Sequence, residues 1–266
     1  KINTKRTITM DKKYSIHVKI NTLAILFSAS LAYGQTGREI AIMVDELPSP
    51  GDLSNESTMV LTNSKGKSRT NKMISKSVDG NKKQITWFIE PRDDRGVAFL
   101  KIEHDNKDDE MRMWLPDFKK IRRISSKRRG DSFMASDLSY EDLASREIDK
   151  YIYKRKDDAN IDGVDCFVVE VRPSDKVESS YQKHLSWINK STLSVVKEES
   201  YDKRGELLKV KNFTHKKIKD YYIMSEIYVE NVQKNHSTKL TIDKIEVDLG
   251  VKASLFQEKN LKRLPR

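Results

Sequence analysis

From about Ser57 onward, short segments of β-branched and aromatic residues alternate with charged ones, broken by turn residues at intervals of roughly 8 to 15. Alternation with a period of two puts one side of each segment in a core and the other in water, which is the pattern of strands. Ser57 to Asn63 leads through Ser64-Lys65-Gly66-Lys67 into Ser68 to Val78, and Asp79-Gly80-Asn81 turns into Gln84 to Glu90, so consecutive hairpins are predicted. The rhythm resumes at Val97 to Glu103 and Glu110 to Leu115, and in the second half at segments such as Val164 to Arg172, Tyr181 to Asn189 and Tyr221 to Glu230. The connections are too short for the helical crossovers of a parallel sheet, so the prediction is a mainly β, antiparallel meander of about ten or eleven strands.

Three segments break this rhythm and are predicted helical. Thr36 to Leu47 places Ile40, Val44 and Leu47 on one helical face before Pro48 ends it. Ser136 to Arg146 contains Ser139 with Asp142 three residues later, a capping pattern. Ala253 to Leu261 is predicted as a last short helix.

Before the strands lies an export signal. Met10 precedes a basic stretch with Lys12, Lys13 and Lys19, and an apolar run from Leu23 to Leu31 follows. Ala32-Tyr33-Gly34 puts small residues where a signal peptidase cuts before Gln35. The run is well short of the roughly 20 residues of a membrane-spanning helix. Residues 1–34 are therefore expected to be upstream sequence and a cleaved signal peptide, and 35–266 one domain of a periplasmic protein; a retained N-terminal anchor is the alternative. Gln35 stands where a lipoprotein would have its acylated cysteine, so no lipid anchor is expected.

Composition adjusts this picture only in part. The chain has 266 residues, 34% of them charged, and a formal net charge of +11. Residues 1 to 34 hold six Lys/Arg and one Asp, so their removal leaves 45 basic and 39 acidic residues, a net charge of +6. That excess suits an anionic headgroup or an acidic partner, and export argues against nucleic acid. Cys166, the single cysteine, reads as a small buried residue and forms no internal disulfide. His17, His104, His184, His215 and His236 are scattered without metal-ligand spacing and read as surface groups. Gly66-Lys67-Ser68 resembles the end of a phosphate-binding loop, but Leu61 replaces its first glycine and the stretch lies in a turn. No nucleophile elbow is present, so no catalytic residues, cofactor or metal are assigned, and the protein is not expected to be an enzyme. An outer-membrane barrel is disfavoured because the stretches Glu206 to Phe213 and after Pro116 offer no continuous lipid-facing apolar band.

One stretch stands apart, MWLPDFKKIRRISSKRRGDSFMASDLSYEDL from Met113 to Leu143. It is either a hairpin with a basic outer face, Trp114, Phe118, Ile121 and Ile124 packing inward, or a binding feature. Trp114, Leu115, Pro116, Lys120, Arg122, Arg123, Ile124 and Ser125 match a W-[LY]-P-x-x-x-K-x-R-R-I-S motif, and Ser132 to Asp142 matches S-F-M-G-S-D-x-S-Y-E-D with Ala135 in place of glycine. Through these motifs the chain resembles the outer-membrane lipoprotein-sorting family, LolA-like periplasmic proteins found near genes for large export pumps. Weaker agreement runs through Trp187, Lys190 to Leu193 and Tyr201 to Leu207.

The resemblance implies an unclosed, strongly curved antiparallel half-barrel whose concave face is covered by short helices. It implies a carrier that shelters the acyl chains of a lipoprotein or other lipid in transit to the outer membrane, with an inner-membrane pump or outer-membrane acceptor as partner, acting as a monomer. Candidate cavity residues are Trp87, Phe99, Met111, Met113, Trp114, Phe118, Phe133, Met134 and Tyr140. Candidate docking residues are Lys119, Lys120, Arg122, Arg123, Lys127, Arg128 and Arg129. The alternative is a cell-envelope interaction or sensor module with no transported ligand.

Overall fold

Alternating side chains dictate a sheet, and in the computed structural model fourteen strands among the described residues form a single antiparallel one. The structure describes residues 34–105 and 107–265, so the predicted signal segment lies outside the described residues. After helix α1 (Gly37–Asp45) come β1 (Asp52–Thr62), β2 (Ser68–Val78), β3 (Lys83–Glu90), β4 (Ala98–Ile102), β5 (Glu110–Leu115) and β6 (Lys120–Ile124). The second half holds β7 (Tyr151–Arg155), β8 (Ala159–Ile161), β9 (Val164–Pro173), β10 (Tyr181–Asn189), β11 (Val195–Asp202), β12 (Leu207–Ile218), β13 (Tyr221–Asn231) and β14 (His236–Val247).

The spatial order is β6-β5-β4-β3-β2-β1-β14-β13-β12-β11-β10-β9-β7, with β8 beside β9. The first and last strands meet in the middle through a long β1–β14 pairing, while β6 and β7 end the sheet and do not pair with each other. The half-barrel is therefore open. Register shifts between β1 and β14, β2 and β3, and β11, β12 and β13 insert extra residues that bend and twist the strands.

The strand count exceeds the ten or eleven expected, because β6 and β8 carry little apolar signal. β6 reads Lys-Ile-Arg-Arg-Ile, an edge strand whose charges discourage pairing with another chain. β8 has only three residues.

The chain crosses from the β6 edge to the β7 edge as a strap, residues 125–150, over one face of the sheet. Here the predicted helix from Ser136 to Arg146 is replaced by single 3-10 turns at Phe133–Ala135 and Glu141–Leu143. Serine and aspartate side chains take over the backbone hydrogen bonds that a helix would need. Ser136 Oγ donates to Phe133 O at 2.6 Å, and Asp142 Oδ2 accepts from Ser139 N at 2.8 Å and Ser139 Oγ at 2.7 Å. The capping pattern thus closes one turn. Ala135, where the family motif has glycine, sits at φ 63°, a left-handed conformation that costs an L-residue about 1 kcal/mol.

α1 forms over Gly37–Asp45, started by a capping box in which Thr36 and Glu39 satisfy each other's backbone amides. Its Ile40 is fully buried against Phe167, Val169, Val171 and Ile188 of β9 and β10. Those residues face the same side as the strap, so strap and helix together line the inner face. The predicted C-terminal helix is instead two 3-10 turns, Ala253–Leu255 and Glu258–Lys262. They lie on the outer face, where Phe256 and Leu261 pack against Ile85, Trp87, Ala98 and Leu100.

Candidate functional site

The strap is held to the sheet in two ways, one apolar and one ionic. Phe133 and Tyr140 join Phe88 and Phe99 in a cluster of four rings with centroids 5.2 to 5.9 Å apart. Each such pair contributes about 0.5–1.5 kcal/mol beyond its buried area. Met59, Met73, Met111, Met113 and Ile124 complete this core on the inner face.

Further along the strap, charges are buried. Lys211 Nζ lies 2.5 Å from Asp142 Oδ1 and 3.1 Å from Glu198 Oε1, Lys209 Nζ lies 3.0 Å from Asp142 Oδ2, and Arg146 grips both oxygens of Glu198 at 2.6 and 2.9 Å. Burial alone would push the Asp142 and Glu198 carboxyls up, but the neighbouring cations outweigh it and hold both well below their usual range. Burial pulls the two lysines down. Lys211, facing two carboxylates, ends above its usual value, whereas Lys209 ends below. His184 belongs to this cluster, 2% exposed with Nδ1 2.9 Å from Ser200 Oγ, which corrects its reading as a surface group. Asp137 adds another tie, accepting from Thr238 Oγ1 at 2.7 Å.

Beneath the strap lies a cavity of about 270 Å³. Its walls are Phe133, Leu138 and Leu143 of the strap, Met59, Met73 and Phe99 of the first half, and Ile223, Leu240 and Ile242 of the second. A second cavity of about 450 Å³ lies on the other side of Leu138 and Met224, between the strap, α1 and β11 to β13. It is lined by Phe213 and Ile227 but also by Asp142, Arg146, Glu198 and Lys211.

Of the cavity candidates, Phe99, Met111, Met113, Phe133, Met134 and Tyr140 come together on the inner face, and Phe99 and Phe133 line the first cavity. The structure places Trp87 and Trp114 on the outer face. Trp87 Nε1 donates to Asn260 O at 3.4 Å, and Lys262 Nζ sits 5.2 Å from the Trp114 ring centre. Phe118 is 71% exposed, in the β5–β6 turn. Of the basic candidates, Lys119, Lys120, Arg122 and Arg123 are exposed in that turn and on edge strand β6, and Lys127 follows them. Arg128 and Arg129 are instead paired with Asp131 and Asp109. The ionic cluster and the small polar residues of β1 to β3 escaped the sequence reading, because an inward-facing lysine or serine looks like an outward one until the register is known.

A family described only as an uncharacterized protein matches residues 80–263. An outer membrane lipoprotein-sorting protein domain from Vibrio parahaemolyticus is 35% identical, over 85% of this chain and 98% of that one, with a TM-score of 0.81. The chain belongs to the outer-membrane lipoprotein-sorting family. A DUF1329 family protein from Desulfovibrio piger is 28% identical over 85% of this chain and 97% of its own, with a TM-score of 0.80. A LolA superfamily protein from Nitrosomonas europaea, 20% identical over 85% and 99%, shares the fold at a TM-score of 0.68. No curated protein matches the chain. Among the described residues no helix is long and apolar enough to cross a membrane, and no group of His, Cys, Asp or Glu is arranged for a metal ion.

Proposed function

We propose that this protein is a periplasmic carrier that takes the acyl chain of a lipoprotein or another lipid into the cavity beneath the strap and delivers it toward the outer membrane, making and breaking no covalent bond. The observation that carries this reading is the partly open, mainly apolar cavity on the inner face of a lipoprotein-sorting fold. Each methylene buried there is stabilised by about 0.8 kcal/mol, enough to hold a chain that water rejects. Methionines on the wall suit chains of varied shape. Organic extraction of the purified protein followed by mass spectrometry is expected to release acyl lipid, and the delipidated protein to bind an acylated peptide. Neither lipid nor binding would leave the interaction-module reading, which the ionic latching of the strap favours.

The carrier's meeting with a membrane falls to the β5–β6 turn, where exposed Phe118 is flanked by Lys119, Lys120, Arg122 and Arg123. An aromatic tip among cations fits an anionic bilayer surface, each basic residue contributing about 1 kcal/mol. Arg122→Glu with Arg123→Glu is expected to weaken co-sedimentation with phosphatidylglycerol vesicles by more than about tenfold. Unchanged sedimentation would remove this surface from the mechanism.

A further inference from the structure

The first cavity is not uniformly apolar. On its β1 to β3 wall the inward positions are Asn55, Ser57, Ser75, Ser77, Gln84 and Thr86. Register sets them in rows. Asn55 stands beside Ser75 and Ser75 beside Thr86, while the next row pairs Ser77 with Gln84. Strands about 4.8 Å apart, with like-facing residues about 7 Å apart along each, make a polar panel the size of a small head group.

Most of this panel has no protein partner. Ser75 Oγ and Thr86 Oγ1 bond each other at 2.8 Å. Among the described residues, the side chains of Asn55, Ser57, Ser77 and Gln84 have none, although Ser57 and Ser77 are more than nine-tenths buried. Their polar atoms therefore open onto the cavity, since among the described residues no fully buried side-chain nitrogen or oxygen lacks a hydrogen-bond partner. The panel is also neutral. No Asp, Glu, Lys, Arg or His lines the cavity. The ammonium of Lys101, which pairs with Gln84 across β3 and β4, is committed to Glu103 at 2.7 Å and to the Leu143 carbonyl at 2.9 Å.

An ionised carboxylate or phosphate drawn under the strap would lose its water and find no counter-charge. A plain alkyl chain would strip water from the hydroxyls and return nothing. An ester or amide carbonyl, or a glycerol hydroxyl, meets both demands, since serine, asparagine and glutamine side chains supply donors and acceptors without charge. We propose, building on the carrier reading, that the cavity selects an uncharged acyl ester or amide, an acyl chain joined to a glyceryl-type head, over the free fatty acid of the same length. The tail lies against Met59, Met73 and Phe133, and the head against the serine and glutamine rows.

Calorimetric titration of the purified, delipidated protein at pH 8 with monolauroylglycerol and with laurate, both below their micellar concentrations, tests this. The ester is expected to bind at least about tenfold more tightly. Laurate binding as well or better overturns the selectivity and leaves the carrier reading standing, whereas absence of binding by either overturns both. A peptide whose N-terminal cysteine bears a diacylglyceryl group separates the two sources of this chemistry: tighter binding than monolauroylglycerol points to a lipoprotein, equal binding to a free glycerolipid. Ser77→Val with Gln84→Leu is expected to bring the ester-to-acid ratio near unity. Ser57→Ala, which deletes one oxygen from a folded strand, is expected to lower the ratio in part. A ratio unmoved in both variants assigns recognition elsewhere.

Discussion

Alanine at Asp142 should lower the free energy of unfolding by about 3–5 kcal/mol, the cost of leaving buried charges unpaired. Its carboxylate is 2% exposed and meets Lys209 and Lys211 together, while also accepting from Ser139 and from Tyr181 Oη at 2.8 Å. Removing it leaves Lys209 facing the tyrosine alone and Lys211 relying on Glu198. The same change unfastens the strap, so amides from Phe133 to Leu143 should exchange faster than those of β1 and β14. Urea unfolding with hydrogen exchange reads both effects. Lys209→Met added to Asp142→Asn should recover part of the loss, because one orphaned ammonium is then gone. A loss of less than about 1 kcal/mol in Asp142→Ala would mean that water enters beneath the strap and the charges are not truly buried.

Acid should destabilise the protein well before ordinary carboxylates protonate. Burial, reinforced by Arg146, holds the His184 imidazole well below its ordinary 6.5, so the folded protein keeps it neutral. The unfolded chain takes up that proton near pH 6.5 and the folded one does not. The unfolded state therefore binds more protons, and stability falls by about 1.4 kcal/mol for each pH unit below 6.5 until the folded imidazole titrates. Asp142 and Glu198 act in the same direction but lower. Their folded values lie beneath the ordinary 3.8 and 4.5, so their contribution is complete above that range and is lost as pH falls through the folded values. Urea midpoints measured from pH 7.5 to 4 should decline steadily, and His184→Gln should flatten the part between 6.5 and about 5. A flat profile in the unmodified protein would show that the imidazole reaches solvent.

The strap shows why part of the site could not be read in advance. Ser139 and Asp142 carry a helix-start pattern, yet they close only one turn, because Asp142 is more strongly engaged by lysines on β12, far away in sequence. Trp87 and Phe88 are adjacent on β3, both buried, and on opposite faces. Neither local pattern nor hydrophobicity separates them. The outer face is apolar there because the C-terminal turns bring Phe256 and Leu261 over it, so the usual sign that one face is wet is missing. Phe118 shows the reverse, an aromatic residue left in water by a tight turn.

The sequence by itself determined the antiparallel strands, because period-two alternation and short polar turns act over a few residues and need no distant partner. It also carried the family, through the motifs from Trp114 to Asp142. Tertiary structure alone decided which side of each strand faces the cavity, that strap residues meet Lys209, Lys211 and Glu198, and that a panel of serines lies under an apolar roof. Register converts an identical alternation into inside or outside, and it is fixed by pairings such as β1 with β14 that join opposite ends of the domain.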